Sequence, residues 1–308
     1  MTKLIAATGF IGGGSSAEVI NLDDSNPNLI CDNLPNLPYS LYGPVGHLFR
    51  GVPIICAGFS NQVEKRCNSL QNGTWKSMPN MTEVRYDPVS VILSPTGNET
   101  LYIAGGHELS SVESFDGKNF NQITIPNLPN QIFVTCMVKI NNSMAMLIGG
   151  STDGNTADID KTYFFDVIQK KWVPGPQLPV PRGWHFCGVM NWKNPATNVI
   201  EKVIVVAGGI LYQQPLTNSV ELLFLNDFEN NNSGWKVGPS IPVRVDGSAM
   251  VEFQNGVIMI GGRGERNGRH LYQLSSPYGK WTEMKQTLKE PRSHFVSFLV
   301  PDELVSCH

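Results

Sequence analysis

This 308-residue sequence lacks the features that are typical of helical membrane proteins and of proteins built from several linked domains. Its apolar runs, such as VIVVAGGIL, are far shorter than the roughly 20 residues that a membrane-spanning helix needs. It also has no Pro/Ser-rich linker, no block of like charges and no low-complexity tract. We therefore predict one domain, residues 1–308, with 41% apolar residues to form its core.

Charge is sparse, and metal-ligand spacings are missing. Charged residues make up 16% of the chain, the formal net charge is −3, and the pI is near 6.1. This balance argues against a general binder of nucleic acid or of membrane surfaces. No H-x-x-x-H, CxxC or HExxH spacing occurs, and His107, His185, His270 and His294 are far apart. We accordingly expect neither a metal nor a cofactor.

The compartment is left open by the sequence. The first residues contain one lysine followed by glycines and no apolar signal-peptide core, which makes a cytoplasmic location the default and an extracellular one an option if the chain is a fragment. Five asparagines lie in N-x-S/T acceptor sites, although roughly three would arise by chance in a chain so rich in asparagine. These five are Asn72, Asn80, Asn98, Asn141 and Asn231.

The chain has only six cysteines. Cys56 and Cys67 flank one predicted turn at about equal distances, so they could face each other across an antiparallel pair and form a disulfide. Two buried free thiols are the equally supported alternative. Cys136 and Cys187 fall in predicted innermost strands, where we expect them to pack in the core as small apolar side chains.

What the chain does have is a glycine landmark that recurs six times, each time after a short apolar run. The landmarks follow one another at steps of 49, 48, 44, 59 and 53 residues. They are Gly9, Gly58, Gly106, Gly150, Gly209 and Gly262. A period near 50 residues indicates a repeat architecture.

Further landmarks keep the same order in every unit. A second apolar strand follows the glycines, then a large residue such as Trp172 or Trp235, then a Pro-containing exit and another strand. Four short strands a unit predict an all-β repeat, because each sheet must be covered by its neighbours. A ring of such sheets is a β-propeller.

The pattern resembles the kelch repeat, in which an apolar strand, Gly-Gly, a strand of Val-Glu-x-Tyr type, Trp and Pro recur in register. The resemblance covers nearly the whole chain and implies a six-bladed kelch-type β-propeller. Four positions depart from it. Thr8 and Ala57 stand in place of the first glycine, and Cys31 and Phe120 stand in place of Trp.

The two ends of the chain look like two parts of one unit. PRSHFVSFLVP near the C-terminus resembles an inner strand with no Gly-Gly strand after it, and KLIAATGF near the N-terminus resembles a second strand with none before it. We predict that they combine into blade one, from about residues 1–38 and 291–301, which closes the ring and removes an open edge. Cys31 and Cys307 would both belong to this blade and could pair.

The arginines give the main functional hypothesis. By strand direction, all of them except Arg50 fall in loops of one face, and Arg is suited to carboxylate recognition. Tyr86, Trp184 and Tyr212 would add aromatic anchors there. The arginines proposed for binding are Arg85, Arg182, Arg244, Arg263, Arg266, Arg269 and Arg292. The alternative for those at a strand entry is a structural bridge between blades.

We therefore expect a monomeric interaction module that binds a protein or peptide partner of acidic character. The alternative is a propeller enzyme of galactose-oxidase-like or sialidase-like type. Tyr86, Tyr212, His185 and Cys187 supply the residue types of a copper radical site, but nothing in their spacing singles them out. No catalytic residue is assigned.

Overall fold

The computed structural model describes residues 3–23, 30–122, 125–152, 159–211, 215–229 and 234–308. It is an all-β, six-bladed β-propeller, which confirms the predicted fold class. From the axis outward, blade two has strands Val45–Phe49, Val52–Cys56, Cys67–Gln71 and Thr74–Ser77. Blade three has strands Val89–Leu93, Thr100–Ala104, Val112–Phe115 and Phe120–Asn121. Blade four has strands Cys136–Lys139, Met144–Gly150, Ile159–Asp166 and Lys171–Pro174.

The remaining blades follow the same order. Blades five and six have strands Phe186–Lys193, Ile200–Ala207, Val220–Phe224 and Lys236–Val237, then Ala249–Phe253, Gly256–Ile260, His270–Leu274 and Thr282–Thr287. Blade one has strands Val296–Val300, Lys3–Ala7 and Ala17–Asn21 among the described residues. Two-residue strands pair Arg182–Gly183 with Ile210–Leu211 and Val245–Asp246 with Arg263–Gly264.

Helix is confined to short pieces in the described part of the chain. An α-helical turn spans Leu225–Glu229 and a 3-10 turn spans Asp302–Leu304. No helix among the described residues is long and apolar enough to cross a membrane.

The core lies between blades rather than at one centre. Each apolar cluster joins two neighbouring sheets, as where Val205 of blade five packs with Met259 of blade six. Second strands such as Lys3–Ala7 and Gly256–Ile260 are buried along their whole length, because neighbouring blades cover both of their faces. This explains why these strands read as continuous apolar runs ahead of each glycine landmark.

The two positions of each glycine pair have different backbone requirements. The first position has a φ near +60°, and Thr8 (φ 67°) and Ala57 (φ 64°) adopt it there. The second position has φ from 89° to 114° and is glycine in all six blades. At Gly209 a Cβ would lie 2.5 Å from the Gly183 carbonyl oxygen. The departures at Thr8 and Ala57 therefore occur only where an L-residue can be accommodated.

In blades two, four, five and six, the tryptophan landmark joins the blade to the one before it. The indole N–H of Trp75 donates to the Pro35 carbonyl at 2.8 Å, and that of Trp172 donates to the Pro126 carbonyl at 3.0 Å. Trp235 and Trp281 donate in the same way to Pro176 and Pro239. The recurring Trp and Pro are thus donor and acceptor of one inter-blade hydrogen bond.

The chain ends close the ring. Val296–Val300 pairs antiparallel with Lys3–Ala7, with Lys3 opposite Val300 and Ala7 opposite Val296. A disulfide joins Cys31 to Cys307, across 276 residues of sequence. The C-terminal strand is therefore the innermost strand of the blade that the N-terminus completes.

Two more disulfides use the remaining cysteines. Cys56 and Cys67 lie directly opposite on adjacent strands of blade two and are bonded. Cys136 and Cys187 are also bonded, so the expectation that they pack as free thiols was wrong. They lie on the inner strands of neighbouring blades, where their Cα atoms are 6.0 Å apart.

Candidate functional site

One face of the propeller is built from two sets of loops, and we call it the loop face. The first set follows each glycine pair, and the second leads into each inner strand. Backbone hydrogen bonds connect the two sets across neighbouring blades, as where the Gly58 N–H donates to the Arg85 carbonyl and the Gly106 N–H to the Ile132 carbonyl. The opposite face consists of the turns between the first and second strands and between the third and outer strands, and we call it the turn face.

At the centre of the loop face, six residues form a closed ring of backbone hydrogen bonds, which we call the axial ring. Each N–H donates to the carbonyl of the equivalent residue in the preceding blade, with N···O distances from 2.8 to 3.4 Å. Each residue has a positive φ, between 47° and 60°. The members are Gly43, Asp87, Val134, Trp184, Gly247 and His294.

The axial ring surrounds the mouth of the central channel. The axial-ring residues and their successors line a cavity of about 100 Å³. Because the ring's amides and carbonyls bond to each other, recognition at the mouth depends on side chains. Asp87, Trp184 and His294 provide the polar and aromatic ones among the ring members.

Three of the proposed arginines are fully buried and bound within the protein. Arg85, Arg182 and Arg292 have no exposed surface. Each pairs with a glutamate of the third strand of its own blade, as Arg85 does with Glu113 at 3.0 Å and Arg292 with Glu18 at 2.9 Å. Each also donates to the backbone beside the glycine pair. A partner cannot reach these guanidinium groups, so their expected place in a binding surface was wrong.

The buried arginines follow an alternation around the ring. They occur two residues before the axial ring in blades one, three and five. In blades two, four and six the equivalent residues are Leu41, Ile132 and Val245, which are 2%, 0% and 3% exposed. The position of the glutamates likewise changes, from Glu18, Glu113 and Glu221 in the odd blades to Asn68, Tyr163 and Tyr272 in the even ones. The same location therefore holds an ion pair in odd blades and uncharged side chains in even ones.

The exposed arginines of the loop face are mostly neutralised by acids of the same chain. Arg244 pairs with Glu265 at 3.3 Å, and Arg266 approaches Glu283 at 3.9 Å. Arg263, which is 46% exposed, donates two hydrogen bonds to the buried carboxylate of Asp246. Arg269 is half-buried and lies outside these pairs. Tyr212 lies outside the described residues.

The loop face has an aromatic cluster beside the channel mouth, which the arginine pattern did not predict. Its members are Phe10, Tyr42, Phe59, Tyr86 and His294. Tyr42 is central, with its ring 5.6 Å from Phe10, 5.5 Å from Tyr86 and 4.9 Å from His294. Trp184 lies apart from the cluster on the other side of the axial ring. Of the two expected anchors that the structure describes, Tyr86 belongs to the cluster and Trp184 does not.

A groove of about 690 Å³ adjoins the aromatic cluster between blades one and two. Phe10 (53% exposed) and Phe59 (43% exposed) flank it, and Tyr42 lies in its wall. Arg66 also lines it, with the guanidinium 3.7 Å above the ring of Tyr39 and held by Glu64. The groove thus presents to solvent an aromatic surface and the exposed part of an ion-paired guanidinium.

Burial perturbs the acids and bases at the mouth. It raises the pKa of the Asp87 carboxyl to about 7, although a hydrogen bond from Tyr86 opposes the rise. Burial also raises the pKa of Tyr86, with a smaller contribution from neighbouring Asp87. The pKa of His294 is lowered to about 3, first by burial and then by Arg263, so this imidazole is neutral at physiological pH. Neither His294 nitrogen has a hydrogen-bond partner among the described residues.

Asp87 makes stability depend on pH in a defined direction. Its folded pKa lies above the value of about 3.9 for an unfolded Asp, so folding favours the protonated carboxyl. We expect the melting temperature of the wild type, relative to that of Asp87→Asn, to be highest near pH 4 and to fall until about pH 7. Thermal melts of both proteins at intervals from pH 4 to 8 test this. A difference that stays constant over the series would contradict it.

The residues that the sequence reasoning missed share equivalent positions in their blades. Phe10 and Phe59 each follow the second glycine, and Tyr42 and Tyr86 each precede the axial ring. Aligning the units on the glycine pairs would have shown aromatic residues at both positions in neighbouring blades. From the sequence, His294 was considered only as a possible metal ligand, and its contact with Tyr42 depends on ring closure.

Comparison with known proteins supports the fold. No protein-family model matches the chain, and no curated protein matches it. Among solved structures, the structure of YjhT is similar, with a TM-score of 0.70 and 12% sequence identity over 92% of this chain and 95% of that chain. At this identity the likeness shows a shared six-bladed propeller architecture alone.

Proposed function

We propose that the protein is an interaction module of the kelch-propeller type, which binds a segment of a partner protein on its loop face. The recurring Gly-Gly, Trp and Pro landmarks support the kelch type. The groove beside the aromatic cluster supports the proposal that the partner binds on the loop face. Phe10 and Phe59 are large aromatic residues that remain about half exposed there, as expected of a surface that a partner covers.

The proposed partner segment carries an aromatic or aliphatic anchor next to acidic residues. Aromatic side chains and Arg are the residue types that most often dominate binding energy at protein interfaces. Phe59 and Tyr42 would contact the anchor, and Arg66, whose side chain is 43% exposed, would face a carboxylate. The overall charge of −3 favours such a local contact over general binding of nucleic acid or anionic membranes.

The arginines of blade six have a secondary place in this proposal. Arg263, Arg266 and Arg269 lie on the loop face but outside the groove. Their distance from the groove makes them secondary, since Arg263 and Arg266 are ion-paired within the chain just as Arg66 is. They would extend the contact of a longer acidic segment rather than anchor it.

Selection of a random peptide library displayed on phage tests the proposal without a known partner. We expect selected peptides to combine an aromatic or aliphatic residue with Asp or Glu. Phe59→Ala or Arg66→Gln should weaken their binding about tenfold or more, equivalent to about 1.4 kcal/mol. Fluorescence anisotropy with labelled peptides measures this.

Val237→Ala is the matched control, because Val237 is 91% exposed on the outer strand of blade five, away from the groove. It should leave the peptide affinity unchanged. Selected peptides that bind Phe10→Ala and Phe59→Ala variants as tightly as the wild type would place the site elsewhere.

A propeller enzyme is the second candidate, and Asp87 is the observation that favours it. A carboxyl with a pKa of about 7 can donate or accept a proton at neutral pH. Cys187 is bonded to Cys136, which leaves it no thiol for the Tyr–Cys cross-link of a galactose-oxidase-like site. A screen with fluorogenic glycosides tests the sialidase-like form. Turnover that Asp87→Asn abolishes would favour the enzyme over the interaction module.

A further inference from the structure

Three acceptor asparagines lie on the turn face, opposite the aromatic cluster. Asn72 is in the turn between the third and outer strands of blade two, and Asn98 is in the loop between the inner and second strands of blade three. Asn141 is in the corresponding turn of blade four. All three are exposed. Three neighbouring blades therefore present an N-x-S/T site to solvent on the same side of the ring.

The local geometry at these sites leaves the asparagine amides accessible. Asn72 and Gly73 both have positive φ (50° and 71°), which places Asn72 at the tip of a two-residue turn. At Asn141 the side-chain oxygen accepts the Ser143 N–H at 2.8 Å and the Ser143 hydroxyl at 3.1 Å. The hydroxyl residue of the acceptor motif is thus already beside the amide to be modified.

The disulfides supply an independent observation. All six cysteines are paired, and the bond between Cys31 and Cys307 connects the two ends of the chain. Disulfides form and persist in oxidising compartments such as the lumen of the secretory pathway and the extracellular space. Asparagine glycosylation takes place in the same pathway.

We propose that Asn72, Asn98 and Asn141 carry N-linked glycans, which cover part of the turn face and leave the loop face open. In each transfer the amide nitrogen forms a bond to the anomeric carbon of an oligosaccharide carried on a lipid pyrophosphate. The bond from that carbon to the phosphate oxygen breaks, the lipid pyrophosphate leaves, and the amide loses one proton.

Asn80 differs from these three in its surroundings. It is exposed, but it lies in the loop that leads into blade three, on the side of the loop face. Its neighbour Met81 is 2% exposed, and the Thr82 N–H donates to Glu113 inside the blade. The proposal therefore does not include it.

Secretion of the full chain behind a cleavable signal peptide in a eukaryotic cell line tests the proposal. We expect peptide N-glycosidase F to lower the intact mass and peptide mapping to find deamidated residues at the three turn sites. Asn72→Gln, Asn98→Gln and Asn141→Gln should each remove one glycan. Ser143→Ala should remove the glycan at Asn141 while the asparagine stays in place.

Asn198→Gln is the matched control, since Asn198 is exposed in the loop between the inner and second strands of blade five but is not in an acceptor motif. It should not change the glycan count. A secreted, fully disulfide-bonded protein with all three turn sites unmodified would overturn the proposal. So would a glycan at Asn80 with the three turn sites bare.

Discussion

Deletion of residues 292–308 should abolish the cooperative unfolding transition of the propeller. The deletion removes Val296–Val300, the inner strand of blade one, which packs with blades two and six as well as with Lys3–Ala7. It also leaves Glu18 buried without Arg292. The second strand of blade one would become an unpaired edge next to an uncovered core, which is unfavourable. Differential scanning calorimetry and near-UV circular dichroism measure the loss.

A disulfide-free variant separates the strand from the covalent link. Cys31→Ser combined with Cys307→Ser keeps the strand and removes the bond between the chain ends. In the chain-entropy account, a loop of this length contributes on the order of 5 kcal/mol, and measured values are often smaller. We expect this variant to melt cooperatively at a lower temperature than the wild type. If the truncated protein melts at the same temperature as this variant, the strand does not close the ring.

The propeller could be predicted from sequence because its signals repeat. The six glycine landmarks recur at fixed places in the units, and the second position requires a φ that only glycine readily adopts. The half-units at the two ends predicted the pairing of the C-terminal strand with Lys3–Ala7. Such signals are local, and the ring follows from them because each blade needs two neighbours to cover its faces.

The burial of the arginines could not be predicted from residue type alone. Arg292 lies two residues before the axial ring and is fully buried, whereas Arg244 lies three residues before it and is exposed. A difference of one position along the chain decides whether the arginine is buried or exposed, because successive side chains of an extended segment point to opposite sides. The position of the axial ring was the missing information.

The pairing of Cys136 with Cys187 and the aromatic cluster were missed for a different reason. Both depend on the lateral distance between neighbouring blades, which repeat spacing does not specify. Phe10 and Tyr42 are 5.6 Å apart although they belong to blades one and two. Contacts of this kind become predictable only when equivalent positions of adjacent units are compared.

Replacement of Arg182 by Met should destabilise the propeller by about 3–5 kcal/mol, because Glu221 would remain buried without its cationic partner. Burial already raises the pKa of Glu221, with Arg182 opposing the rise. Without Arg182, the pKa of Glu221 in the folded state should rise further above the unfolded value of about 4.3. The loss in free energy of unfolding should therefore be smallest near pH 4 and grow toward pH 8. Chemical unfolding at several pH values measures it.

The side chains found at this location in the even blades suggest a double variant that should restore the stability lost in Arg182→Met. Blade four has Ile132 and Tyr163 where blade five has Arg182 and Glu221. We expect Arg182→Ile combined with Glu221→Tyr to recover much of the stability that Arg182→Met loses, because well-packed apolar side chains often replace a buried ion pair at little cost. The double variant should also lose the pH dependence of the single one, since no carboxyl remains at the site.

Arg266→Met is the control for a surface ion pair, because Arg266 is 52% exposed and 3.9 Å from Glu283. This substitution should change the free energy of unfolding by no more than about 0.5 kcal/mol at every pH. If Arg182→Met costs no more than Arg266→Met, the buried arginines do not hold the odd blades together. The three guanidinium groups would then need another explanation, and the alternation between odd and even blades would have no energetic basis.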